Sequence, residues 1–114
     1  MARVVAYIPD LLFGSNVVGA LQAAGHEPVL VGRAEDVAGA LAGAHVLVVD
    51  LTAEVPARLD AMRPLLGDEV RSLAFFSHVE TDVRAAAQEA GFDLVVPRSR
   101  MARAGADLVS QLAT

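Results

Sequence analysis

Short apolar, β-branched runs alternate along the whole chain with longer segments in which apolar positions recur at helical spacing. Val4–Ile8 is the first such run and predicts strand one. Pro9-Asp10 ends it, with Asp10 placed to cap the next helix. Helix one is expected over Leu11–Ala24, stopped by Gly25. A short second strand, Pro28–Val31, ends at Gly32, and helix two, Glu35–Ala42, ends at Gly43. His45–Asp50 reads as strand three, apolar up to its last residue, as expected when both faces of a sheet are covered. Pro56 fits the first turn of helix three, Pro56–Leu66. Ser72–Phe76 is strand four, and Thr81 can cap a fourth helix that ends before Gly91. Asp93–Val96 and Met101–Leu112 are strand five and helix five.

Each strand–helix unit covers roughly 20–25 residues, a rhythm that selects a parallel sheet with helices on both faces. Right-handed crossovers leave few ways to connect it. The expected fold is α/β, a single domain over residues 1–114, with the flavodoxin-like strand order 2-1-3-4-5 and a crevice between strands one and three.

Composition narrows the chemistry. Apolar residues make up 54% and aromatics only 4%, so the core is built from Val, Leu and Ala. Net charge is -5, and no basic face suggests nucleic acid as a partner. All nine basic residues are Arg. The lack of cysteine excludes disulfides, thiolate metal sites and cysteine nucleophiles. No apolar run approaches the roughly 20 residues of a membrane span, and the N-terminus lacks signal-peptide features, so a cytoplasmic location is expected. His26, His45 and His78 show no metal-ligand spacing.

Ligands of open parallel sheets gather at the carboxyl ends of the strands. In this chain that rim would collect Asp10, Asp50, Thr52, Ser77, His78, Arg98 and Ser99. Asp50, ending VLVVD, could accept a phosphoryl group or hold a metal; the alternative is a strand-end carboxylate that caps loop amides or pairs with Arg98, favoured by the lack of acidic partners. Ser77 could hydrogen-bond an anion, whereas His78 reads as part of a polar turn. A Ser-His nucleophile pair is disfavoured, because adjacent strand residues point to opposite faces. Arg98 suits bidentate binding of a carboxylate or phosphate, or stands solvated at a helix start. Gly14 and Gly19 lack the Lys-Ser/Thr of a phosphate loop and are expected to serve close helix packing.

These features make the chain resemble the receiver domain of two-component response regulators over nearly its whole length. An aspartate ends strand three (Asp50), a hydroxyl residue follows strand four (Ser77), and GFDLVVPR (Gly91–Arg98) matches the segment that carries the family's lysine. The resemblance implies an acidic pair after strand one that holds magnesium, yet Ile8 and Pro9 fall on that pair, with Asp10 one place beyond. Arg98 fills the lysine position with proline before it rather than after, and LTAEVPA (Leu51–Ala57) replaces the usual loop. The expectation is a pseudo-receiver: scaffold kept, efficient phosphoryl transfer lost, no catalytic residue, and at most weak magnesium binding through Asp10 and Asp50.

Three functions follow. One is a stand-alone regulatory module that binds a protein partner or itself through helix four, strand five and helix five, with Arg84, Gln88, Arg100, Arg103 and Asp107 on that face. A second is a response regulator phosphorylated on Asp50, helped by Asp10 and Arg98. The third is a small anionic-ligand binder at the rim, using Arg98 and Ser77.

Overall fold

A computed structural model describes residues 1–77 and 81–114, with the side chain of Thr81 outside the description. The strands are β1 (Arg3–Tyr7), β2 (Glu27–Val31), β3 (Val46–Leu51), β4 (Arg71–Phe76) and β5 (Leu94–Pro97). The helices are α1 (Leu11–Ala23), α2 (Val37–Ala40), α3 (Val55–Met62), α4 (Thr81–Ala90) and α5 (Arg98–Ala113). All strand pairings are parallel and the order is β2-β1-β3-β4-β5, as expected from the alternation.

The sheet separates two apolar layers because successive strand side chains alternate between its faces. Val48, Leu73, Phe75 and Val96 pack against Phe13, Val17 and Leu21 of α1 and Met101 and Leu108 of α5. Their neighbours Tyr7, Val49, Ala74 and Val95 pack on the other face, against Val37, Leu59, Met62, Val83 and Ala87. β3 is buried at all six residues, which accounts for its apolar character at every position but Asp50.

Two predicted helices are shorter than their patterns suggest. Helix three ends as an α-helix at Met62 and continues only as a 3-10 turn, Arg63–Leu65. Pro64 has no N–H to donate, so the α-helical ladder cannot run through it to Leu66. Helix two is a 3-10 turn, Ala34–Asp36, followed by a single α-helical turn. Gly39 lies within that segment, and no side chain caps its start. Helix five instead begins three residues earlier than predicted, at Arg98, directly after Pro97, which ends β5 with φ -64° and ψ 152° and stands at the N-cap position without a side-chain cap. It is broken by a kink at Ala104. Gly25 and Gly91 close α1 and α4 in left-handed geometry, φ +88° and +113°, where a side chain would be strained.

Two of the three histidines have structural roles at the amino end of the sheet. The Ala2 and Arg3 amides donate to Nδ1 of His26 (3.1 Å) and of His45 (3.0 Å). His26 Nε2 also contacts Ser110 Oγ at 2.8 Å, tying the start of the chain to α5. His78, and the proposed cap by Thr81, lie outside the described residues.

Candidate functional site

Strand register places the rim residues. Tyr7 pairs with Val49, so Ile8 stands level with Asp50, and Asp50 is level with Phe75 and Val96. Asp10, Thr52, Ser77 and Arg98 each lie two residues beyond that level, at the carboxyl end of the sheet. They share a rim but not one set of contacts.

Asp50 is only 3% exposed. Its Oδ1 accepts from the Thr52 amide at 2.8 Å and the Thr52 hydroxyl at 2.5 Å, closing the turn after β3. A buried carboxylate also needs a countercharge, and Arg58 of α3 supplies it. Arg58 Nη1 donates to the Asp50 carbonyl at 3.0 Å and lies 3.6 Å from Oδ1. The Arg58 side chain is 10% exposed. Its carbon Cζ sits 5.8 Å from the centre of the Tyr7 ring, and Nη2 is 4.0 Å from Glu54. Glu54 opens α3 in left-handed geometry, φ +48° and ψ 44°. Non-glycine residues in that region carry a strain of roughly 1–2 kcal/mol. The tight turn brings the second turn of α3, and with it Arg58, over the end of β3.

Asp10 and Arg98 form a separate pair. Asp10 caps α1, accepting from the Phe13 amide at 3.1 Å. Its other oxygen lies 3.6 Å from Arg98 Nη2, both side chains being about half exposed. Arg98 Cζ lies 4.3 Å from the centre of the Phe13 ring, and Phe13 packs on Phe75 with ring centres 5.1 Å apart. The possible pairing of Asp50 with Arg98 is therefore corrected: Asp50 faces Arg58, and Arg98 is held over Phe13 beside Asp10. A guanidinium is attracted to an aromatic face as well as to a carboxylate, and here one position satisfies both. Ser77 is half-buried just past β4.

Sequence reading missed Arg58. Its signal was an arginine standing beside the inward stripe Val55, Leu59 and Met62 of α3, where a charge needs a buried partner.

The residues present do not fit a magnesium site. Magnesium takes hard oxygen ligands, but the position level with Asp50 on β1 is Ile8, fully buried and apolar. Asp50 already has a cation, and Asp10 is turned to Arg98 and the start of α1. Among the described residues no three His, Cys, Asp or Glu side chains are grouped to hold a metal.

A cavity of about 350 Å³ opens beside Arg58, lined by Tyr7, Pro9, Arg33, Glu35, Glu54 and Arg58 among others. Each of its guanidinium groups is matched by a carboxylate. Arg33 Nε donates to Glu35 at 3.0 Å, and Arg58 faces Asp50 and Glu54. The Glu35 carboxyl is held below its ordinary value, first by a hydrogen bond to its own backbone amide and then by Arg33. The Arg33–Glu35 pair is solvated and screened, so it carries little energy.

No protein-family model matches the chain, and no curated protein matches it in sequence. Solved structures resemble it closely in shape. A response regulator from Thermotoga maritima aligns with TM-score 0.84 at 14% identity, over 99% of this chain and 98% of the other. A putative pilus assembly-related protein from Burkholderia pseudomallei aligns with TM-score 0.82 at 22% identity, over 99% and 90%. An atypical orphan response regulator, described as revealing a phosphorylation-independent regulatory mechanism, aligns with TM-score 0.80 at 15% identity, over 97% and 94%. At such identities the likeness is one of fold: the chain has the fold of a response-regulator receiver domain. No helix among the described residues is long and apolar enough to cross a membrane.

Proposed function

We propose that this chain is a receiver-like regulatory interaction module whose output does not depend on phosphorylation of Asp50. The observation that carries this reading is the Arg58 guanidinium beside a nearly buried Asp50. In a phosphoryl-transfer site the aspartate and a metal receive the phosphoryl group together, the metal neutralising its developing charge. Here an arginine from the chain itself supplies the positive charge, and Ile8 and Pro9 offer no carboxylate for a metal. Asp50 then acts as a structural anchor that joins β3, the Thr52 turn and α3.

A module that keeps one state must act through its surface. Arg84 and Gln88 on α4 and Arg100, Arg103 and Asp107 on α5 are all exposed, leaving this mixed-charge face open to a protein partner. The similar orphan regulator described as phosphorylation-independent offers a precedent for such a module. Anion binding at the rim has less support, because Arg33, Arg58 and Arg98 each face a carboxylate already.

Amide chemical-shift mapping with magnesium and beryllofluoride tests the reading. The expected spectrum is unchanged at Asp50, Thr52, Ser77 and along α4. Saturable shifts that begin at Asp50 and spread into α4 would overturn it.

A further inference from the structure

We propose that the chain self-associates through α1, the exposed leucines of one copy seating in the α1–α5 groove of a second copy. The inference is independent of the reading of Asp50. It starts from an anomaly of composition: charged residues make up 20% of the chain, yet the thirteen residues of α1 include none. The helix turns Leu11, Leu12, Ser15, Asn16, Gly19 and Ala20 to solvent. Leu11 is 74% and Leu12 76% exposed, an unusual display of two large aliphatic side chains at one helix end.

The complementary hollow lies beside them. α1 and α5 enclose a groove of about 300 Å³, with Asn16, Ala20, Ala102 and Ala106 at its sides and Phe13 and Met101 among its apolar lining. Small side chains along its lip let a second helix approach closely. Gly105 keeps the groove deep: a Cβ there would meet Met101 Cε at 2.9 Å and push that side chain outward.

Knob and hollow are related in a way that suits two-fold symmetry. Leu12 and Ala20 lie four residues either side of Asn16, or about 6 Å along the helix axis in each direction. Two antiparallel α1 helices crossing at Asn16 would place each Leu12 over the other copy's Ala20 and its groove. One patch then supplies both halves of the contact, as a two-fold dimer requires.

Charge argues for a second copy as the occupant. The chain has a net charge of -5, so most self-contacts would set acidic surface against acidic surface. α1 is a surface on which two copies can meet without that cost, and its neutral face offers nothing to attract a charged partner. The footprint sets the strength. A thirteen-residue helix is about 20 Å long, so even with the flank of α5 the contact is small beside the ~800 Å² per partner of a standard interface. The expected dimer is weak, with Kd on the order of micromolar or above.

Sedimentation velocity over rising protein concentration tests the proposal with wild type, Leu12→Glu and Arg63→Gln. Leu12 is exposed, so its substitution should leave the circular dichroism spectrum unchanged. Wild type should shift from monomer to dimer. Leu12→Glu should weaken association by about tenfold or more, since its charge must be desolvated in the groove. Arg63→Gln, exposed at the end of α3 and changing the net charge by the same one unit as Leu12→Glu, should behave as wild type. A wild-type protein that stays monomeric to millimolar concentration overturns the proposal and leaves the Asp50 reading standing. So does a dimer that Leu12→Glu spares.

Discussion

At the scale of single residues, the centre of the molecule is a carboxylate and a guanidinium that need each other. Asp50 is almost fully buried, and Arg58 is its cationic neighbour at 3.6 Å. Removing one partner of a buried pair typically costs about 3–5 kcal/mol, and the length of this contact places it near ~3 kcal/mol. Arg58→Met should therefore destabilise strongly in urea unfolding. Adding Asp50→Asn should cost much less than the sum of the single effects, with a coupling of at least about 1 kcal/mol. Additive effects would mean that the two groups do not interact. Tyr7, the one tyrosine in a chain without tryptophan, lies under Arg58, so its emission reports on this spot without a label. The position of Asp50 and the helix-capping role of Asp10 were legible in the sequence, because strand ends and helix starts leave local marks. The partner of Asp50 was not. Which arginine reaches it depends on the turn at Glu54 and on the attraction of Phe13 for Arg98, and neither has a periodic signature.

At the scale of elements, local pattern fixed the strands to within about a residue but overran two helices. Apolar spacing carries the pattern of helix three past Pro64 to Leu65 and Leu66, although the backbone cannot follow. The glycines of α1 separate in the same way. Both were expected to serve close packing. Only Gly14 does: a Cβ there would lie 2.9 Å from Leu30 Cδ1 and 3.4 Å from the Ile8 carbonyl, whereas nothing stands within 4 Å of a Cβ at Gly19. Gly19→Ala should raise stability by roughly 0.5–1 kcal/mol through helix propensity. Gly14→Ala gains the same propensity but must displace Leu30 in a packed layer, at about 1–3 kcal/mol. Thermal unfolding at low protein concentration should rank Gly19→Ala above wild type and Gly14→Ala below it. The reverse order would mean that α1 does not sit on the sheet as described.

At the scale of the whole molecule, the strand order was readable because a regular alternation of strand and helix, joined by right-handed crossovers, leaves few alternatives. The same scaffold hosts many functions, so function has to be argued from the contacts at the rim of the sheet. Those contacts form two self-contained ion pairs, Asp50–Arg58 and Asp10–Arg98, where a phosphoryl-transfer site would keep its acidic groups free for a metal. The most direct test is intact-protein mass spectrometry after incubation with magnesium and acetyl phosphate, with Asp50→Asn run in parallel. Wild type should keep its mass, as the variant does. A phosphoryl adduct on wild type that is absent from Asp50→Asn would contradict the claim, because it would require Asp50 to leave Arg58 and act as a phosphate acceptor.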